Sequence, residues 1–237
     1  MPGYKRILLS WSSGKDSAWA LHLLRQQGQG EVVGLLSTLN QTFNRVAMHG
    51  VRRALLEAQA QAAGLPLIIA PLPWPCSNQQ YEHAMQQALQ QAVETLGITH
   101  VAFGDLFLAD IRAYREEKLA QHTSLAPLFP VWNIPTPDLA QQMLQGGLRA
   151  RIACVDLSRL PASFAGREYD SQLLQSLPQG VDPCGENGEF HTFAYSGPMF
   201  SHPIDIKNGE SVQRDGFCFT DLLPNCSPPD CPLKTAR

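Results

Sequence analysis

Ser12-Ser13-Gly14-Lys15-Asp16-Ser17 stands directly after the apolar run Ile7-Leu8-Leu9 and directly before a segment of helical periodicity. An apolar strand, a small polar loop and a helix start together make an anion site. The first N–H groups of a helix have no intrahelical partners, and the helix dipole favours negative charge there. The plainer account of the same residues is a strand-to-helix turn with Asp16 or Ser17 as an ordinary N-cap.

Outward from the loop, Ala20, Leu21 and Leu24 mark the buried side of a helix that Gly28 to Gly30 ends, and Val32 to Leu36 is a continuous apolar run. Such a run suits a parallel strand covered on both faces, so the N-terminus already holds a β-α-β unit. The polar stretch from Ser37 to Arg45 then lies at the carboxyl end of that strand, where open α/β sheets bind ligands and where an adenine ring is expected. A helix is expected over Val51 to Ala63 and a short strand over Leu67 to Ala70. Ser77 and Gln80 make a capping box for a further helix running to Leu96, and Thr99 to Phe103 is the next strand.

Gly104-Asp105 follows that strand at the same sheet edge. Glycine admits close backbone approach, and the carboxylate suits magnesium or a ligand hydroxyl. Arg112 and Arg115 fall within one turn of the next helix, placed either to hold phosphate or a substrate carboxylate or to pair with Glu116 and Glu117. Phe129 to Pro135 is an extended linker, Thr136-Pro137 opens another helix, and Leu148 to Val155 alternates as a strand. Near the C-terminus, Gly185-Glu186-Asn187-Gly188-Glu189-Phe190-His191-Thr192 flanks two carboxylates and an imidazole with glycines. It can present Glu186, Glu189 and His191 to a ligand as hydrogen-bond acceptors, metal ligands or acid/base groups, or be a structural turn. Asn208-Gly209 is a hairpin signal.

With 237 residues, 44% hydrophobic and 16% charged, the chain has the make-up of an ordinary globular protein with a substantial core. A formal net charge of −3 gives no general pull toward nucleic acid. No apolar run approaches a membrane span, no signal-peptide core opens the chain, and the six cysteines lack zinc spacing, so a cytoplasmic protein with free thiols is expected.

The loop lacks the Walker A spacing and the dinucleotide fingerprint. It resembles the PP-loop, Ser-Gly-Gly-X-Asp-Ser, of enzymes that cleave ATP to AMP and pyrophosphate, with Ser13 where that pattern has its first glycine. A positive φ there would strain a serine. Together with Met48-His49-Gly50, Gly104-Asp105, the segment from Arg112, Pro130-Val131-Trp132 and the Gly185 to Thr192 string, the chain resembles the diphthine–ammonia ligase family over nearly its whole length.

The resemblance implies an α/β fold: a HUP-type, Rossmann-like parallel sheet with the PP-loop over residues 1–128, a smaller α+β acceptor domain over 129–223, and a Pro-rich tail over 224–237. It implies conversion of a carboxylate to an amide with ATP and ammonia through an acyl-adenylate. ATP would lie on Ser12, Ser13, Gly14, Lys15, Asp16, Ser17 and Gly104, with Mg²⁺ on Asp16. Lys15 is expected to point its side chain elsewhere in some loops of this type. Asp105, Glu186, Glu189 and His191 would be catalytic, and Arg112 and Arg115 would hold substrate. The partners implied are a small-molecule or protein-borne carboxylate and ammonia, with no membrane, nucleic acid disfavoured, and a homodimer as a candidate assembly. The rival readings are a PP-loop enzyme that modifies RNA and a non-catalytic nucleotide sensor.

Overall fold

The computed structural model describes residues 4–28 and 30–225. Most of the expected Pro-rich tail, with Cys226 and Cys231, lies outside the described residues. The chain runs β1 (Lys5–Ser10), α1 (Lys15–Gln27), β2 (Gly30–Asn40), β3 (Arg45–Val46), α2 (Arg53–Ala63), β4 (Leu67–Leu72), α3 (Asn78–Leu96), β5 (His100–Ala102), α4 (Ala109–His122) and β6 (Ala126–Leu128). It continues through α5 (Thr136–Gln145), β7 (Arg149–Asp156), α6 (Ser171–Ser176), β8 (Phe190–Ser196), β9 (Ile206–Arg214) and β10 (Phe217–Pro224).

Two sheets result. In the first, β4, β2, β1, β5 and β6 pair side by side in parallel, and β3 adds a short antiparallel edge to β2. From β1 the chain moves to β2 on one side and later returns to β5 on the other. The crevice between the carboxyl ends of β1 and β5 is therefore the topological switch point at which such sheets bind ligands. Ile7, Leu8 and Leu9 are all buried, as a strand covered on both faces requires. The second sheet is antiparallel, in the order β8-β7-β10-β9. The protein is thus mixed α/β, and no helix of the described residues is long and apolar enough to cross a membrane.

The two sheets share a core. Trp19, Ala20 and Leu21 of α1 and Leu55 and Leu56 of α2 join one buried cluster with Ala150 and Ile152 of β7 and Phe193 of β8. Arg45 and Arg52 add a polar clasp by gripping Asp221 of β10, with contacts of 2.9 Å from Arg45 and 2.9 Å from Arg52 Nε.

Several expectations change. Residues 37 to 40 are not loop: they extend β2 to eleven residues by pairing with β4, and the polar turn is confined to residues 41 to 44. Asn208-Gly209 is not a hairpin turn but lies inside β9. A Cβ on Gly209 would stand 3.0 Å from Asp221 O, so the glycine serves close strand approach at an irregular register. The turn falls instead at Asp215-Gly216, where both residues have positive φ, 51° and 80°, the conformation a tight hairpin needs. The capping box is present as expected: Gln80 N donates to Ser77 Oγ at 3.3 Å and Ser77 N to Gln80 Oε1 at 2.9 Å.

Candidate active site

The loop between β1 and α1 turns sharply at Ser13, whose φ is +69°. A side chain at such a φ costs roughly 1 kcal/mol or more, so the surroundings must hold it. They do so through its carbonyl, which accepts from Ala194 N of β8 at 2.9 Å and from Gln59 Nε2 of α2 at 3.0 Å. Gln59 is fully buried, donates also to Ala194 O at 2.6 Å, and accepts from Trp11 Nε1 at 2.9 Å. One amide thereby ties both ends of the loop to the second sheet.

Within the loop, Gly14 N donates to Ser12 Oγ at 3.3 Å and Ser17 Oγ donates to Gly14 O at 3.0 Å. Since the Ser17 proton is used there, the 3.2 Å contact between the two hydroxyls has Ser12 as donor. Lys15 N is taken by Thr192 Oγ1 at 3.0 Å. The Ser13 hydroxyl is buried without a partner among the described residues, so the loop keeps an unspent donor beside the start of α1.

Lys15 borders the cleft, yet its ammonium is spent beneath it. Nζ donates to both carboxylate oxygens of Asp16, at 3.0 and 2.9 Å, and to the Cys184 carbonyl. Burial opposes its charge, but Asp16 and, more weakly, Glu186 outweigh that penalty and raise its pKa. The Asp16 carboxylate stays about a quarter exposed, at 25%. Across the cleft, a Cβ on Gly104 would lie 3.0 Å from Ser17 N. Only glycine lets the strand end approach α1 so closely.

The structure brings Ser12, Lys15, Asp16, Ser17, Gly104, Asp105, Arg115, Glu186 and His191 around one cleft of about 860 Å³. Glu186 reaches across to it from the second half of the chain, accepting from Leu106 N at 2.8 Å. Burial, with Asp16 and Asp105 nearby, pushes its pKa up to about 7. A larger cavity of about 1350 Å³ adjoins, sharing Ser10, Ser12, His49, Arg115 and His191, and Thr38 and Asn40 line it.

Three expected site residues are engaged elsewhere. The Glu189 carboxylate is fully buried and folds its own loop, accepting from Asp182 N at 3.1 Å and Asn187 N at 3.0 Å. Arg112 leaves the cleft because its guanidinium stacks on Phe129 at 4.6 Å and Trp132 at 4.8 Å. Asp105 is held by Arg115 in a two-point pair, with Arg115 NH2 donating at 3.1 Å, and the guanidinium lies over Phe103. Asp105 thus orients an arginine on the cleft wall, and is not a free acid or base.

Glu189→Ala is accordingly expected to leave ATP affinity within about threefold while lowering stability. The backbone N–H groups of Asp182 and Asn187 lose a charged acceptor, at about 1.5 to 3 kcal/mol each, and a thermal melt should fall by roughly 6 to 24 °C for a chain of this size. Loss of ATP binding in the folded variant would contradict this division.

Sequence reasoning missed His49, Gln59 and Thr192. His49 and Thr192 belong to strings that carry the family resemblance, but nothing in their spacing assigns them a contact. Gln59 looks like one more glutamine on an alanine-rich helix.

Comparison with known proteins follows the same outline. A model of the diphthamide synthase N-terminal domain matches residues 5–125, and one of the diphthamide synthase C-terminal domain matches residues 136–222. Diphthine–ammonia ligase of Bos taurus is 25% identical over 242 residues, covering 92% of this chain and 88% of that protein. The Homo sapiens protein of the same name is 24% identical over 240 residues, with 92% and 88% covered. The Schizosaccharomyces pombe protein is 22% identical over 228 residues, or 88% of this chain and 37% of that protein.

Proposed function

Because the chain belongs to the diphthamide synthase family, we propose that it is an ATP-dependent amide ligase, which adenylates a carboxylate and transfers the acyl group to ammonia. The observation that carries the reading is the meeting, in one cleft, of the α1 anion loop with Glu186 from the opposite half of the chain. A sensor of nucleotide needs only the first of these.

The chemistry follows from what each group offers. A carboxylate resists ammonia because its leaving group would be oxide. Attack of a carboxylate oxygen on the α-phosphorus of ATP expels pyrophosphate and leaves an acyl-adenylate. The dipole of α1, with the Ser12 and Ser17 hydroxyls turned from their contacts within the loop toward the ligand, would stabilise the charge that develops on the departing phosphates. Arg115, fixed by Asp105, adds a guanidinium on the same wall. Mg²⁺ needs only one or two carboxylates besides phosphate oxygens, so the exposed edge of Asp16 suits it, and there it would neutralise pyrophosphate charge. In the second step the ammonia nitrogen bonds to the acyl carbon, one proton passes to Glu186, and the C–O bond to AMP breaks with its electron pair leaving on AMP.

Thiol chemistry of the RNA-modifying kind has less support. Burial holds the Cys184 thiol of this cleft at about 12, far from a neutral-pH thiolate. The free thiols of Cys76, Cys154, Cys184 and Cys218 suit a reducing compartment and support a cytoplasmic setting. We treat residues 129–223 as the part that receives the acceptor.

The deciding assay incubates the protein with Mg-ATP, ammonium and a panel of carboxylates, including a diphthine-bearing protein, and follows AMP. AMP release that depends on one carboxylate supports the ligase. AMP release that depends on RNA, or ATP binding without turnover across the panel, overturns it.

Glu186 also sets a pH dependence. As a base it works only when ionised, so the rate at fixed free ammonia should rise through about pH 7, where its pKa lies, and level off above. Glu186→Gln should flatten that limb and lower kcat by 10²- to 10⁴-fold. An unchanged limb in the variant would remove Glu186 from the role.

A further inference from the structure

The turn after β3 carries a second imidazole into the cleft. Met48 and Gly50 both have positive φ, 63° and 67°, and His49 N donates to Ala47 O at 2.7 Å. Arg45 holds the turn from outside, donating to Gly50 O at 2.7 Å. A non-glycine residue at positive φ is backbone strain, and a strained turn persists because its surroundings over-determine it. Its effect is to lay the His49 ring against the anion loop: a Cβ on Gly14 would come within 3.1 Å of His49 Cε1.

There His49 meets His191. The ring centroids are 4.5 Å apart with 31° between planes, and both rings border the phosphate-side cleft and the larger cavity. His49 Nδ1 lies 3.2 Å from Thr192 O. A carbonyl can only accept, so the proton sits on Nδ1 and Nε2 keeps a bare lone pair. Two half-buried imidazoles whose centroids lie this close do not both charge cheaply. Burial, and then His191, bring His49 down to about 3, while burial, and then Lys15, bring His191 down to about 4. The cations of the cleft, Lys15 and Arg115, already have carboxylate partners. The imidazole pair therefore offers hydrogen-bond acceptors at the phosphate end of the site. A phosphate oxygen, itself an acceptor, has nothing to gain from a bare imidazole nitrogen; a small N–H donor does.

We propose that His49 and His191 form the ammonia subsite, His49 Nε2 and the bare nitrogen of His191 each accepting an N–H bond from NH₃ so that its lone pair is left for the acyl carbon. This inference rests on the ligase reading. It gives the stacked pair a division of labour with Glu186: the imidazoles orient the nucleophile before attack, and the carboxylate takes the proton that the new C–N bond makes acidic.

The test reads the site without the acceptor. Side-chain ¹H–¹⁵N spectra of the full chain are recorded during titration with ammonium chloride and, separately, potassium chloride at a mildly alkaline pH. Potassium serves as the monovalent control because it has no N–H to donate. Saturable shifts of the bare nitrogens of His49 and His191 with ammonium, absent with potassium, are expected. His191→Phe keeps the stack and removes one acceptor, and should weaken the ammonium response at His49 at least tenfold. No response, or the same response to both salts, overturns the proposal. An intact ammonium response in a protein that releases no AMP with any carboxylate would instead count against the ligase reading alone. With an acceptor in hand, His191→Phe should raise the KM for ammonium at least tenfold, a far larger change than in the rate of ATP–pyrophosphate exchange. A parallel loss of exchange would overturn the assignment.

Discussion

Asp16→Asn should abolish AMP release, with a fall of at least 10³-fold in rate, while the protein stays folded. The amide keeps the volume and the contact to Lys15 Nζ, but it loses the negative charge on the exposed edge of the residue. That edge stands at the first turn of α1, where proposed Mg²⁺ and the phosphates of ATP would meet. Oriented groups that stabilise phosphoryl charge carry several orders of magnitude in such reactions. Asp16→Ala tests something more. Lys15 is only 1% exposed; both variants remove the Asp16 charge, but asparagine keeps an amide oxygen to accept from Nζ, whereas alanine leaves the ammonium with the Cys184 carbonyl. Breaking a buried pair on one side costs about 3 kcal/mol or more, so this variant should lose stability as well as activity. The double variant Lys15→Met/Asp16→Ala should regain much of that stability and none of the activity. If Asp16→Asn released AMP at the wild-type rate, the anion loop would not be the pyrophosphate end of the site.

Gln59→Leu should destabilise the fold strongly from outside the cleft. The side chain makes three buried hydrogen bonds, to Trp11, Ser13 and Ala194. Leucine fills nearly the same space and satisfies none of the three. Each orphaned buried group costs about 1 to 3 kcal/mol; Trp11 Nε1 loses its acceptor and Ala194 O its Gln59 donor, whereas Ser13 O keeps Ala194 N. A total of about 4 kcal/mol is a fall of roughly 8 to 16 °C in the melting temperature for a chain of this length. Activity should suffer further, because the Ser13 turn loses one of the two bonds that hold its positive φ. Raised KM for ATP in the surviving folded protein is the signature of a displaced loop. A melt within 3 °C of wild type would show that the amide network is worth little, however it looks in the structure.

The parallel sheet and the anion loop could be read from the sequence because each rests on a local signal. An apolar run three residues long ahead of Ser12, helical spacing after it and glycines at Gly28, Gly64 and Gly97 fix strand, helix and stop without reference to distant residues. Glu186 and His191 were legible as a cluster, and Gly104 as a close approach. What could not be read depends on partners far along the chain. Glu189 and His191 are two residues apart in the same string, yet one carboxylate turns inward to tie Asp182 and Asn187 and one ring turns outward to the cleft. Arg112 and Arg115 differ likewise: which one lines the cleft is decided by Phe129 and Trp132, aromatic residues from the linker that claim Arg112. The Asn208-Gly209 signal failed because its meaning was overridden by pairing with β10, and the neighbouring Asp215-Gly216 had the same chemistry with the right position.

One contact in the anion loop bears on how the protein comes into being. The Ser13 carbonyl is bound by the amide of Ala194, which is made 181 residues later (194 minus 13). Chains are synthesised from the N-terminus and their first halves begin to fold first. On the ribosome, the first sheet can assemble while the loop above it still lacks one of the two bonds that hold its turn. A nascent chain therefore completes this loop as β8 emerges, and with β8 come Glu186 and His191. On the proposed reading, the loop that would hold ATP and the groups that would direct it to an acceptor are completed by the same stretch of translation.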